Sequence, residues 1–276
     1  MKIMGEILKR LVFYTVLIVS WPYALFIERN RIRIKRHTVF FDNLPEEFSG
    51  FTLLVFADLH HGSLTPLRWV DRVIRRANSA GADMIVCLGD YVKSRGSEIP
   101  AVWPLLLKLE APEGVLMVLG NHDHQAGAAL SLKHLEESGR SIRHASIIVR
   151  KGAAKIAVAG AGDNWSERSG IDAALKGLPD DMFRVVLAHN PDTADEERAA
   201  RVDLYICGHT HGGQFILPFL DNSFLIPVRN RNYTRGFRKN GKGETIFIAT
   251  GLGWSVLPFR FNCPPELSLV EIRRKA

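Results

Sequence analysis

Cysteine is scarce and unpaired here. The three residues, Cys87, Cys207 and Cys263, are odd in number and form no Cys-x-x-Cys, so no disulfide framework is encoded. Cys87 and Cys207 lie inside apolar runs and read as reduced core thiols in a reducing compartment. Low-complexity linkers and solenoid repeats are also missing. There is no G-x-S-x-G elbow, no P-loop and no H-E-x-x-H, which removes three common routes to hydrolysis and phosphate binding. Gly160-Ala161-Gly162-Asp163 lacks the helix opening and later glycine of a dinucleotide fingerprint and reads as a turn.

What is present is a chain of 276 residues, 46% of them hydrophobic, long enough to bury a full core. It divides into a leader, residues 1–36, and one catalytic domain, residues 37–276. The leader carries eight basic side chains against Glu6 and Glu28, and residues 229–242 carry six against none. The formal charge is only +7, so the remainder is net acidic. A basic leader beside an acidic body points to anionic lipid and away from nucleic acid.

Leu11 to Ile27 is an uncharged run of 17 residues. As a helix it extends roughly 26 Å, the short limit for a bilayer span, and without a small-x-small cleavage site it reads as an uncleaved hydrophobic anchor helix, with an interfacial helix that never spans and an export signal as competing readings. Trp21 and Tyr23 suit a membrane interface, and Pro22 can kink or end the helix. Arg29, Arg31, Arg33, Lys35 and Arg36 follow the run, against Lys2, Lys9 and Arg10 before it. The positive-inside rule then predicts an inner-membrane protein whose catalytic domain faces the cytoplasm.

The chemistry gathers around Gly208-His209-Thr210-His211-Gly212-Gly213, directly after the apolar run Val202 to Cys207. At an extended strand end, residues two apart point the same way, which predicts two imidazoles on one side of the exit. Three more apolar runs end in ligand-type residues: at Asp58-Leu59-His60, at Gly89-Asp90 and at Gly120-Asn121-His122-Asp123. A fourth ends at His189. Buried strands that deliver such residues at their carboxyl ends build a site along a sheet edge. Asp58 and His60 can share one metal, and Asp90, with two oxygens, is a natural bridge between two. Gly89 leaves room for close approach.

The elements expected are a strand over 31–41, strand 51–57, helix 67–80 capped by Thr65 with Pro66 in its first turn, strand 84–88, helix 98–110 and strand 115–119. Helix 127–138, strands 146–150 and 155–159, helix 172–178, and strands 184–188 and 203–207 follow. The final third predicts strands at 214–217, 245–250 and 267–272 between long loops. This order fits a two-sheet sandwich flanked by helices.

The series DxH, GD, GNHD, H and GHTH, from Asp58 to His211, resembles the calcineurin-like metallophosphoesterase superfamily. Gly213-Gln214, Gly251-Leu252-Gly253, Pro258-Phe259-Arg260 and Pro265-Glu266 resemble its bacterial membrane-associated branch, which holds phosphodiesterases and UDP-2,3-diacylglucosamine pyrophosphatases. The resemblance implies an α/β fold, a four-layer αββα sandwich of two mixed sheets. It implies two divalent ions, one held by Asp58, His60, Asp90 and His211, the other by Asp90, Asn121, His189 and His209. Mixed oxygen and nitrogen donors suit manganese, iron or zinc better than calcium without choosing among the three, and manganese is the first expectation, with iron or zinc as alternatives. The implied reaction is phosphodiester or pyrophosphate hydrolysis by a hydroxide bridging the pair.

His122 resembles the family's non-ligand histidine that serves the leaving oxygen. Asp123 has two open roles, orienting that imidazole or capping the following helix. His61, with Arg229, Arg231 and Arg235 of the basic stretch beside the apolar run 215–220, is a candidate substrate contact, the arginines as forks for a diphosphate; the other reading of 215–242 is a strand hairpin with a solvated basic loop. The expected partners are the phosphodiester or diphosphate substrate, lipid-linked, and the membrane through the leader. A protein phosphatase fits less well, because Lys93-Ser94 departs from GDxVDRG and Leu119 stands where an arginine precedes GNH. A non-enzymatic scaffold on the same fold would be expected to lose ligands, and none is missing here.

Overall fold

Two-residue alternation sets the layers. In β2 (Phe51–Phe56) Leu53 and Val55 face one way, Leu54 and Phe56 the other, and both sides are buried. The same split recurs in β3 (Met84–Cys87), β7 (Phe183–Ala188) and β8 (Leu204–Cys207). Leu53, Val55 and Val86 meet Val185, Leu187 and Ile206 between two sheets. On the far side of the first sheet, Leu54, Phe56 and Ile85 pack on α1 (Leu67–Asn78), α2 (Glu98–Leu106) and α3 (Asn121–Glu137). On the far side of the second, Val186, Tyr205 and Cys207 pack with Ile171 and Leu175 of the short α4 (Ile171–Leu175). The result is helix, sheet, sheet, helix. Each buried Val or Leu contributes about 1.5–3 kcal/mol over an exposed one.

The first sheet runs β1 (Arg33–Phe41), β11 (Glu266–Arg274), β2, β3, β4 (Val115–Met117). The second runs β5 (Ser146–Lys151), β6 (Ala154–Gly160), β7, β8, β10 (Thr245–Ile248), β9 (Gly236–Lys239). Both are mixed, but β2, β3 and β4 are mutually parallel, as are β6, β7, β8 and β10. Parallel strands put their carboxyl ends on one edge, and the loops that leave those edges build the site.

The computed structural model describes residues 18, 20–216, 226–255 and 257–276. Residues 11–17 and 19 of the expected anchor helix, and Leu217, Phe219 and Leu220 of the apolar stretch, lie outside them. Among the described residues no helix is long and apolar enough to cross a membrane. Four local expectations differ. Thr65 does not cap α1; Pro66 takes the cap position with no side-chain bond, and its carbonyl accepts from Trp69 and Val70. Helix α3 starts at Asn121, ahead of the expected residue 127, because Gly127 breaks the helical backbone and masks the first turn in the sequence pattern. In place of a strand over 214–217, the described residues give a single bridge, Phe215 to Phe261. The basic stretch contains β9, paired antiparallel with β10.

Candidate metal centre

The loops after β2, β3, β4, β7 and β8 deliver seven side chains to one pocket. All seven, Asp58, His60, Asp90, Asn121, His189, His209 and His211, are buried. Two glycines permit the approach: a Cβ on Gly89 would stand 2.1 Å from the Gly120 nitrogen, and one on Gly120 would stand 2.3 Å from Asp90 Oδ1.

Asp58, His60, Asp90, His209 and His211 all have positive φ, between 49° and 70°. Left-handed backbone costs on the order of 1 kcal/mol or more for each such residue, and it concentrates at functional sites. This corrects the expectation for the HxH pair. Strand β8 ends at Cys207, and the chain then turns through left-handed His209, right-handed Thr210 and left-handed His211. The two imidazoles therefore diverge into two groups instead of sharing one side of a strand.

Those groups are Asp58, His60 and His211 on one side, and Asp90, His189 and His209 on the other, each with donor atoms within 4.8 Å of one another. Asp90 lies between them: its Oδ2 is 3.4 Å from His60 Nε2 and 3.3 Å from His189 Nε2. Asn121 Oδ1 is 3.2 Å from His189 Nε2, and His60 Nε2 faces His211 Nε2 at 3.0 Å.

Two of the imidazoles, His189 and His209, are anchored as metal ligands are. His189 Nδ1 donates to Leu88 O at 2.8 Å, leaving Nε2 to the cluster. His209 Nε2 donates to Pro227 O at 3.0 Å, leaving Nδ1, which lies 3.1 Å from His189 Nε2. Two nitrogens facing each other with their opposite nitrogens held as donors fit a shared cation. Burial lowers His60 and His209 to about 3 and takes His211 well below its ordinary range, so these three keep neutral rings with lone pairs. Burial raises Asp58 to about 6. Burial works against the charge of His189, yet neighbouring Asp90 raises it to about 10. Asp90 itself, which burial alone would raise, is held below the usual carboxylate range by His189 and His60. Without cations, the His189 proton occupies the position their charge would take. The donor set fits divalent ions with mixed oxygen and nitrogen preference.

His122 is half-buried, its ring edge-on to His60 at 4.6 Å between centroids. Its amide donates to Asp90 Oδ1 at 2.9 Å and its Nδ1 to Lys93 O at 2.5 Å. Asp123 does not orient that ring. Its carboxylate accepts from the amides of Gly120, Asp90, Tyr91 and Val92, tying the GD and GNHD loops together at the start of α3. Of its two open roles, the structure selects the capping one, because four converging N–H groups satisfy a buried carboxylate better than one imidazole would.

Two neighbours of the ligands went unassigned in the sequence. Arg260, wholly buried, spreads its guanidinium over the carbonyls of Gly253, Thr250 and Cys263 and reaches within 3.4 Å of His211 Nδ1. Trp165, half exposed, sets its ring edge-on to His209 at 4.6 Å. Trp165 carries no periodic or ligand-type signal, and Arg260 lies in the Pro258-Phe259-Arg260 motif, which marks the branch without giving the arginine a role. His61 is buried, with Nδ1 donating to Thr65 O, one residue past His60. Arg229, Arg231 and Arg235 are exposed on a loop joined to the HTH turn through Thr210 Oγ1, which donates to Thr234 O at 2.7 Å. Among the described residues none of the three guanidiniums is hydrogen-bonded to a ligand side chain.

A two-sheet sandwich with a dual ligand group at its strand ends defines a class, the metal-dependent phosphoric ester and anhydride hydrolases. The chain belongs to the calcineurin-like phosphoesterase family, whose model matches residues 51–213. It is 32% identical over 264 residues to the uncharacterized metallophosphoesterase YkuE of Bacillus subtilis, covering 92% of this chain and 90% of that one. It is 30% identical to phosphodiesterase YaeI of Escherichia coli, covering 92% and 93%. Similarity also extends, at 25% identity and 92% and 93% coverage, to the UDP-2,3-diacylglucosamine pyrophosphatase LpxG of Chlamydia trachomatis.

Proposed function

We propose that this hydrolase cleaves a phosphodiester or pyrophosphate bond at the cytoplasmic face of the inner membrane, on a lipid-linked diphosphate such as UDP-2,3-diacylglucosamine. The observation that carries the hydrolytic part is Asp90, standing between two three-residue ligand groups. The lipid part is supported by the uncharged run Leu11–Ile27, by the exposed arginines of the loop tied to the His209–His211 turn and by the name of the Chlamydia relative.

In this reading Asp58, His60, Asp90 and His211 hold one ion, and Asp90, Asn121, His189 and His209 the other. The ions, manganese first among iron and zinc, supply Lewis acidity and an acidified water when bound. The protein residues do the rest. With Nδ1 donating to Lys93 O, the His122 ring carries a proton on Nε2 only as the imidazolium, and in that form Nε2 is the atom that would hand a proton to the leaving oxygen and revert to the neutral ring. Asp123 holds the loops that carry Asp90 and His122 in register. Arg229, Arg231 and Arg235 offer guanidinium forks to a diphosphate. Purified full-length protein with manganese should release UMP from UDP-2,3-diacylglucosamine in mixed micelles. Cleavage of bis(p-nitrophenyl) phosphate without UMP release would discard the lipid substrate and keep the reaction class. A higher turnover on phosphopeptides would favour a protein phosphatase.

A further inference from the structure

Helix α1 turns one stripe inward, Trp69, Val70, Val73, Ile74 and Ala77, and leaves Arg72, Arg75 and Arg76 outside. These three arginines, with Arg31 from the segment that precedes β1 and with Ser79, frame a shallow depression of about 430 Å³. No acidic side chain lines it. Asp71 pairs with Arg75 alone; the guanidiniums of Arg31, Arg72 and Arg76 have no hydrogen-bond or ion-pair partner among the described residues. Arg31, Arg72 and Arg76, like charges around one depression without counterions, leave their donors free for an anion with several oxygens.

The position of the depression says which anion. Arg31 lies four residues past Ile27, the end of the uncharged run. The described part of that run lies on the body: Trp21 packs on Phe259 with centroids 4.7 Å apart, while Ile18, Phe26 and Ile27 stay exposed. Arg29 connects this segment to α1 through rings, lying over Trp254, which contacts Trp69. Exposed apolar side chains beside unpaired arginines, where an apolar run joins the body, match the layering of a bilayer surface, with acyl chains next to phosphates.

We propose that the Arg31–Arg72–Arg75–Arg76 depression binds the phosphate of an anionic phospholipid and docks the α1 face on the membrane. This deepens the membrane part of the proposed function but needs no particular substrate. Each arginine at an anionic surface changes the docking equilibrium by about fivefold, so removing three changes it on the order of a hundredfold.

The test uses the full chain with Leu67→Cys, exposed at the start of α1 and outside the depression, carrying a fluorescent maleimide; Cys87, Cys207 and Cys263 are buried and spared. It is reconstituted in phosphatidylcholine bilayers with or without phosphatidylglycerol, each doped with a headgroup quencher. Quenching should be greater in the phosphatidylglycerol bilayers, and the combined Arg31→Gln, Arg72→Gln and Arg76→Gln substitutions should remove the excess. Arg72→Gln alone should remove part of it, with an unchanged melting temperature. Equal quenching in both bilayers, or a triple variant that keeps the excess, overturns the proposal. Loss of the excess on adding inorganic phosphate at constant ionic strength also overturns it, assigning the depression to a soluble anion. No turnover is read, so failure here is distinct from failure of the phosphodiesterase reading.

Discussion

His122 stands apart from the side chains around it, half-buried where they are buried and anchored by Nδ1 on a backbone carbonyl. The proposed role on the leaving group predicts that His122→Ala lowers kcat by about 10²- to 10⁴-fold while bound metal, measured by plasma mass spectrometry, stays at the wild-type ratio. Loss of metal together with activity would make it a ligand instead. His189 gives a second prediction. Its imidazolium, held to about 10 by Asp90 against burial, must lose its proton before Nε2 can bind a cation. Metal binding to the apo protein should therefore release about one proton between pH 6 and pH 10. Below about 6, where Asp58 is also protonated, a second proton should be released and affinity should fall more steeply. Calorimetry in buffers of different ionisation enthalpy reads this directly, and no proton release near pH 7.5 would contradict it. The seven ligand types were readable because each closes an apolar run. The left-handed backbone that sends His209 and His211 into different groups was not, since no residue there is a glycine.

Segment 20–30 acts on the site through the loop 253–263. Glu28, buried, accepts the amides of Asn262 and Cys263, and Ala24 O accepts from the Arg260 amide. The same loop carries the guanidinium that reaches His211. Glu28→Ala should destabilise the protein by about 3 kcal/mol, since hydrogen bonds to a charged group contribute about 1.5–3 kcal/mol each. Glu28→Gln, which keeps an acceptor oxygen, should cost less; equal urea midpoints for both variants and the wild type would refute the clamp. At this scale the sequence was readable in the alternating strands and in α1, and misleading elsewhere. Strand β9 carries a single large apolar residue, Phe237, among Gly236, Arg238 and Lys239, as a charged edge strand does. The first turn of α3 is polar because it faces the pocket, and so gives no apolar stripe.

Across the whole molecule the centre ties one sheet to the other. Asp58, His60, Asp90 and Asn121 follow strands of the first sheet, and His189, His209 and His211 follow strands of the second. Ions held by both should stabilise the sandwich as well as activate it. Chelation should abolish turnover and lower the melting temperature, with manganese restoring both; one ion present at a hundred times its dissociation constant contributes about 2.7 kcal/mol. Turnover lost with no change in melting would place the ions on one sheet only.

The sequence alone determined which residue types end the strands, the two-sided burial of those strands and, from both, the two-sheet architecture, because strand periodicity and ligand chemistry are local properties of the chain. The family resemblance already divided the ligands between two ions; only the tertiary structure decided the torsions that carry them there, that Asp123 serves backbone amides and not His122, and that Arg260 reaches His211. Those depend on backbone torsions after the strands and on contacts between segments far apart in the chain, which no local pattern encodes.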